Sequence, residues 1–365
     1  MSFFIAGLFA VALLPLMAAQ AQSTDQTSEA EAQSGVQVVS DTMAQRVDVL
    51  IDGDLFTAYL YSDTLDVLKK PVLWPLVSAG GQTVTRGYPL APNPGEQVDH
   101  PHHIGLWFNY GDVNGLDFWN NSDAIPAERA GEMGTIRHRE IRNTESGEDE
   151  GVLETTSDWL TPEGDTLLTE ETRYVFRTQP DVRTIDLAIT LTALDDSVSF
   201  EDNKEGTLGL RMARALEHPE DKAVLLTDAS GVPMTEPVLD TTGVSGEYLS
   251  SEGLRGTDVW GTRAEWVLLS GTVDDAPVVV AILDQPDNVG YPTYWHARPY
   301  GLFAANPLGQ AVFSEGEEHL GFKLAPGEST TFNYRIMLLS GEAAASEDAA
   351  KKTVESAYQD FKSDM

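Results

Sequence analysis

Residues able to do chemistry gather in four short segments of this chain. The densest reads Asp99-His100-Pro101-His102-His103 and runs on through Trp107, Asn109, Asp112, Asn114 and Asp117 to Trp119. Three of the seven histidines fall there. Imidazole changes charge near neutral pH and is the commonest metal ligand, and aromatic faces beside amides and carboxylates suit the wall of a sugar cleft. The second segment is Thr85-Arg86-Gly87-Tyr88-Pro89. The third is Gly209-Leu210-Arg211-Met212, with Glu217 and His218 behind it. The fourth runs from Tyr291 through Trp295, His296, Arg298 and Tyr300 to Asn306-Pro307.

Residues two apart on a strand share a face. Extended backbone therefore brings His296, Arg298 and Tyr300 together and turns Trp295 and Ala297 the other way. Arginine offers a rigid fork to a carboxylate, while histidine and tyrosine can act as base and acid. This set is open to lyase, dehydratase or hydrolase chemistry. In the lyase route His103 or His296 abstracts a proton, Tyr300 protonates the leaving oxygen, and Arg86, Arg211 or Arg298 binds a carboxylate. His102, Asn114 and Asp117 would contact the substrate, and Trp107, Trp119 and Trp295 would supply stacking faces. A metal site of His100, His102 and His296 is the alternative, with zinc, copper or non-haem iron as the ion. An extended segment would turn His102 and His103 to opposite faces, which opposes a three-histidine cage. Hydrolase chemistry through Asp112, Asp117, Glu171 or Glu217 needs two of them across one bond. His138 is expected to face the same cleft, and His319 to be structural. The residues assign no cofactor.

Composition narrows the classes. The chain has 23 basic against 58 acidic residues, a formal charge of −35, which repels phosphate backbones and anionic lipid and argues against nucleic-acid partners. There is no cysteine, so disulfides, zinc–thiolate sites and thiol nucleophiles are excluded. No Gly-x-Ser-x-Gly elbow precedes a helix, and no glycine-rich phosphate loop joins a strand to a helix. Phe3 to Ala19 carries no charged side chain and ends in Ala19-Gln20-Ala21. That pattern predicts a signal peptide over residues 1–21, a periplasmic or secreted protein, and no stable membrane insertion after its removal.

The elements that must hold these segments are strands. After a polar stretch read as a flexible leader over 22–43, Val47, Val49 and Ile51 alternate, Asp52-Gly53 turns, and Leu55 to Tyr61 return. Alternation recurs at Tyr174 and Phe176, at Ile185, Leu187, Ile189 and Leu191, and at Phe332, Tyr334, Ile336 and Leu338. Val278 to Leu283 is continuously apolar, as in a strand buried on both faces. Helical period occurs only over Glu347–Lys362, where Val354, Ala357, Tyr358 and Phe361 share a face. The expectation is all-β: one large antiparallel β sandwich over 44–365 with a C-terminal amphipathic helix.

The long motif at 99–119 resembles that of a secreted bacterial family labelled "methane oxygenase PmoA"-like. So do Lys70-Pro71-Val72-Leu73-Trp74-Pro75, the Arg86 turn and Pro292 to Pro307. The resemblance spans about Val47 to Leu339. It implies a galactose-mutarotase-like β supersandwich and an association with polysaccharide breakdown, while the label implies oxygenase chemistry. Motifs and resemblance together give a carbohydrate-active protein taking oligosaccharides, including uronic-acid-bearing ones. A metal-dependent oxygenase or hydrolase and a non-catalytic glycan-binding protein are the alternatives.

Overall fold

The computed structural model describes residues 34–363, so the signal-peptide reading lies outside the described residues. From Ser34 onward the chain forms one compact unit. Two antiparallel sheets of eight strands build it. The first runs in the order Val36–Asp41, Arg46–Ile51, Asp54–Leu60, Val72–Leu73, Leu106–Tyr110, Gly206–Arg211, Leu302–Asn306 and Tyr294–Ala297. The second runs Glu247–Ser250, Trp266–Val273, Ala276–Asp284, Ser329–Leu339, Val182–Ala193, Thr166–Gln179, Glu150–Leu160 and Thr135–Glu145.

Alternating burial explains the layers. Leu106, Leu208, Leu210, Trp295 and Phe303 of the first sheet meet Ile185, Ile189, Phe332, Ile336 and Val280 of the second in one core. The continuous apolar strand is buried on both faces: Val278, Val280 and Ile282 face that core. Val279, Ala281 and Leu283 instead pack under the Glu347–Ser363 helix, against Val354, Tyr358 and Phe361. The predicted hairpin turns at Asp52 and Gly53, whose φ values of 53° and 88° fit a two-residue turn of this kind.

One boundary differs. Residues read as leader include the strand Val36–Asp41, which pairs with Arg46–Ile51 and buries Val36 fully. The short valine alternation there is hidden by the surrounding serines, threonines and glutamines, and a partner strand makes it visible.

Candidate active site

The outer face of the first sheet carries a third apolar cluster, built from Val72, Ile104, Trp107, Trp119, Leu302 and Ala304. One lateral row crosses four strands here: Trp107 is opposite Gly209, Gly209 opposite Ala304, and Ala304 opposite His296. The two middle residues are small, so the sheet forms a floor between a tryptophan and a histidine. Trp107 lies over Gly209 so closely that a Cβ there would meet its ring at 2.3 Å.

The Asp99–His103 segment is a turn and not a strand. The His103 amide donates to His100 O at 3.0 Å, and His100 takes a φ of 41°. The expected division of the histidines between faces is therefore overturned, and the rings cluster: centroids lie 4.3 Å apart for His102 and His103, 4.8 Å for His100 and His103, and 5.6 Å for His100 and His102. The His100 and His103 planes are only 5° apart. Clustering does not make a cage: among the described residues no three His, Asp or Glu side chains are arranged to hold a metal ion. His296, the third member of the alternative set, lies on the edge strand Tyr294–Ala297.

Two arginines hold this turn. The Asp99 carboxylate accepts from Arg86 Nη1 at 2.5 Å, Arg211 Nη2 at 2.6 Å and His100 Nδ1 at 2.7 Å. Arg86 also donates to the carbonyls of Gln97, Asp99, His100 and His103. Both guanidinium groups are buried, at 1% and 0% exposure, so neither is available to a substrate carboxylate as the sequence suggested. Burial alone would raise the Asp99 pKa, but Arg211, the His100 hydrogen bond and Arg86 hold it far below the usual carboxylate range. Burial and Arg211 push Arg86 down to about 9, still charged at neutral pH.

Arg298 meets Tyr300, and Arg298 and His296 both pack on Trp260, by a different route from strand alternation. The strand ends at Ala297, and Arg298–Gly301 is a tight turn closed by Gly301 N–H to Arg298 O at 3.0 Å. Gly301 supplies the φ of 83° that this turn needs. Tyr300 lies nearly parallel to His100, centroids 4.9 Å apart, with the Arg211 guanidinium 4.9 Å from its ring. Arg298 stacks over Tyr300 and over Trp260, at 5.9 and 5.7 Å. Its guanidinium has no carboxylate partner among the described residues, unlike those of Arg86 and Arg211. His296 Nδ1 donates to Lys204 O at 2.9 Å, which leaves the lone pair on Nε2. Burial, with Lys204 adding, lowers its pKa to about 3, so the ring stays neutral. Tyr300 keeps its proton: burial raises it to about 12, with Arg211 opposing.

Other predicted contacts lie elsewhere. Trp295 points into the sandwich core at 0% exposure, with Nε1 donating to Ala264 O. Asn114 sits on an exposed turn and accepts from the Ser199 amide. Asp117 caps the Trp119 and Asn120 amides, both at 2.9 Å, and so aims Trp119. Trp107 and Trp119 are wall residues at 2% and 0% exposure. Each candidate carboxylate has its own local partner: Asp112 the Gly115 amide, Glu171 Arg142, and Glu217 Gln97 and Arg214. His138 packs on Tyr61 with Tyr59 Oη 3.1 Å from Nδ1, in a separate pocket lined by Lys69 and Thr135.

Three site residues escaped the sequence reading. Glu205 Oε2 lies 3.8 Å from His296 Nδ1. Trp260 is 37% exposed and carries Arg298 on its face. Lys70 is buried beside Trp107 and donates to His102 O at 2.8 Å. Burial lowers its pKa to about 7, with Asp117 opposing. A signal existed for Glu205, which directly precedes the Gly206–Arg211 strand, but nothing local marked Trp260.

Comparison with known structures gives weak overall likenesses. The galactosidase domain of an α-galactosidase–sucrose kinase is 12% identical, over 84% of this chain and 42% of that one, with a TM-score of 0.40. Galactose 1-epimerase from Lactobacillus acidophilus NCFM is 12% identical, over 84% and 98%, with a TM-score of 0.36. A galactose mutarotase-like protein from Clostridium acetobutylicum is 9% identical, over 82% and 94%, with a TM-score of 0.34. The chain spans about two fifths of the galactosidase chain it matches. At these identities the likeness says nothing of chemistry. No functionally curated protein is similar to the chain in sequence. The model of one family matches residues 46–353, and its description is not the PmoA-like label that the motifs resemble. The chain therefore belongs to DUF6807, a family of unknown function.

Proposed function

We propose that this is an exported carbohydrate-active enzyme whose cleft, between the His100 turn and Trp260, takes an oligosaccharide bearing a uronic acid, and that it acts as a lyase. One observation carries the reading. His296 offers an unprotonated Nε2 at the edge of a small-residue floor and packs on Trp260, which also carries Arg298, an arginine without a carboxylate partner among the described residues that stacks on the protonated phenol of Tyr300. In the reaction, Arg298 binds the uronate carboxylate and acidifies the adjacent carbon. His296 Nε2 takes the proton from that carbon, the bond from the neighbouring carbon to the glycosidic oxygen breaks, and Tyr300 protonates the leaving oxygen. A carbon–carbon double bond remains in one product. Trp260, Tyr300 and the half-exposed His100 supply stacking surface. Arg298, whose guanidinium has no carboxylate partner among the described residues, is the cation on which binding of an anionic ligand rests. The oxygenase chemistry implied by the PmoA-like resemblance has no comparable support, because the histidine rings do not converge as ligands. Export rests on the Phe3–Ala19 stretch.

Incubation with pectic, alginate and glucuronan oligosaccharides, followed by ultraviolet detection of the unsaturated product, tests the reading. His296→Ala should lower turnover by about 100- to 10,000-fold, the usual worth of a general base, with the fold intact by circular dichroism. Full activity in that variant removes His296 from the mechanism. Saturable binding without product from any substrate leaves a glycan-binding protein.

A further inference from the structure

His102 Nε2, His103 Nε2 and Trp119 Nε1 are shut off from solvent and meet no hydrogen-bonding group among the described residues. Buried polar atoms are almost always paired, and each one left alone is costly. These three belong to rings that touch edge to face: His102 and His103 at 77°, and His103 and Trp119 at 78° with centroids 5.6 Å apart.

Two of the three hydrogen-bonding roles follow from their partners and chemistry. Arg211 Nη1 lies 3.4 Å from His103 Nδ1. A guanidinium can only donate, so Nδ1 accepts and the His103 proton sits on Nε2. Trp119 Nε1 can only donate. One donor therefore sits beside His102 and the other on the far side of the His103 ring; burial and nearby Lys70 keep the His102 ring neutral, with one lone-pair nitrogen.

We propose that His102, His103 and Trp119 form an inner subsite for one hydroxylic oxygen: a water in the free protein, and a hydroxyl of the sugar in the complex. The oxygen accepts from His103 Nε2–H and Trp119 Nε1–H and gives its own proton to His102 Nε2. A carboxylate or phosphate oxygen has no proton to give and would set its lone pair against that of His102. Lys70, bonded to His102 O at 2.8 Å, fixes the backbone that carries this ring. The way in from the cleft passes His100, whose side chain is 40% exposed and whose ring lies 4.8 Å from His103. The sugar half of the proposal rests on the carbohydrate reading above, and the water half does not.

Two measurements test it. A crystal structure of the free protein at a resolution that shows waters should contain one oxygen within hydrogen-bond distance of all three nitrogens; a dry cluster overturns the proposal. In a nitrogen-15 NMR titration with galacturonate and glucuronate oligosaccharides, the Trp119 indole resonance, assigned through Trp119→Phe, should shift with the same saturation as that of Trp260. A Trp260 resonance that titrates while Trp119 stays fixed overturns the sugar half and spares the cleft. If neither indole moves with any sugar, the carbohydrate reading fails and the crystal structure alone decides the water half. Trp119→Phe, which removes one donor, should weaken binding roughly tenfold; unchanged affinity counts against the subsite.

Discussion

Removing the Asp99 carboxylate should destabilise the fold far more than loss of a partly exposed aspartate normally does. Its side chain is 27% exposed, yet among the described residues it is the only carboxylate paired with two guanidinium groups that are themselves sealed from water. Arg86 keeps four backbone carbonyls when Asp99 is lost, so part of its compensation survives. Arg211 keeps the 3.4 Å contact to His103 Nδ1 and the face of Tyr300. Breaking a buried ion pair from one side costs about 3–5 kcal/mol, and the surviving partners of Arg86 put Asp99→Ala near the lower end, at about 3 kcal/mol. Asp99→Asn keeps an acceptor and loses the charge, and should cost roughly half as much. Urea unfolding followed by tryptophan fluorescence reads both values. The pH dependence has a fixed sign. The folded pKa lies below the ordinary 3.8, so the stabilisation is present above that value and lost as pH falls below it. Asp99→Asn should flatten this acid limb. Both variants within about 0.5 kcal/mol of the parent, with an unchanged acid limb, would refute the view that Asp99 holds the His100 turn.

Three further outcomes follow from the same geometry. Gly209→Ala would drive a Cβ to 2.3 Å from the Trp107 ring, so it should cost about 1–3 kcal/mol and change the near-ultraviolet circular dichroism; a silent substitution contradicts the close ring contact. Asp284 is fully buried, and burial raises its pKa to about 7 against hydrogen bonds from Asn288 and Thr293. Its contribution to stability is therefore complete below its ordinary 3.8 and lost as pH rises through about 7, by up to about 4 kcal/mol, and Asp284→Asn should remove that slope from pH-dependent denaturation. Arg298→Met should weaken binding of uronate oligosaccharides at least tenfold in calorimetry while sparing neutral ones; equal losses for both would assign Arg298 to packing.

Local pattern carried most of the architecture. A strand with one buried face must alternate, and one buried on both faces must be apolar throughout, so Ile185–Leu191 and Val278–Leu283 declared themselves without any partner. The Glu347–Ser363 helix did so by its 3.6-residue spacing. The four chemical segments were also visible, because histidine and tryptophan are scarce in this chain. What each segment does was not visible. Arginine reads alike whether it meets a substrate or an aspartate, and the choice depends on a residue 112 positions away for Arg211 and 13 for Arg86.

By itself, then, the sequence determined the layers, the helix and the identity of the residues that gather at one face. Only tertiary packing decided that Arg86 and Arg211 are consumed by Asp99 while Arg298 is left over. It also turned the histidine segment from a strand into a turn, and recruited Trp260 and Glu205 from distant loops. The physical reason is range. Periodicity records whether a side chain faces core or water, a property of neighbours along the chain, whereas charge pairing and ring stacking are settled between strands that meet only when the sheet closes.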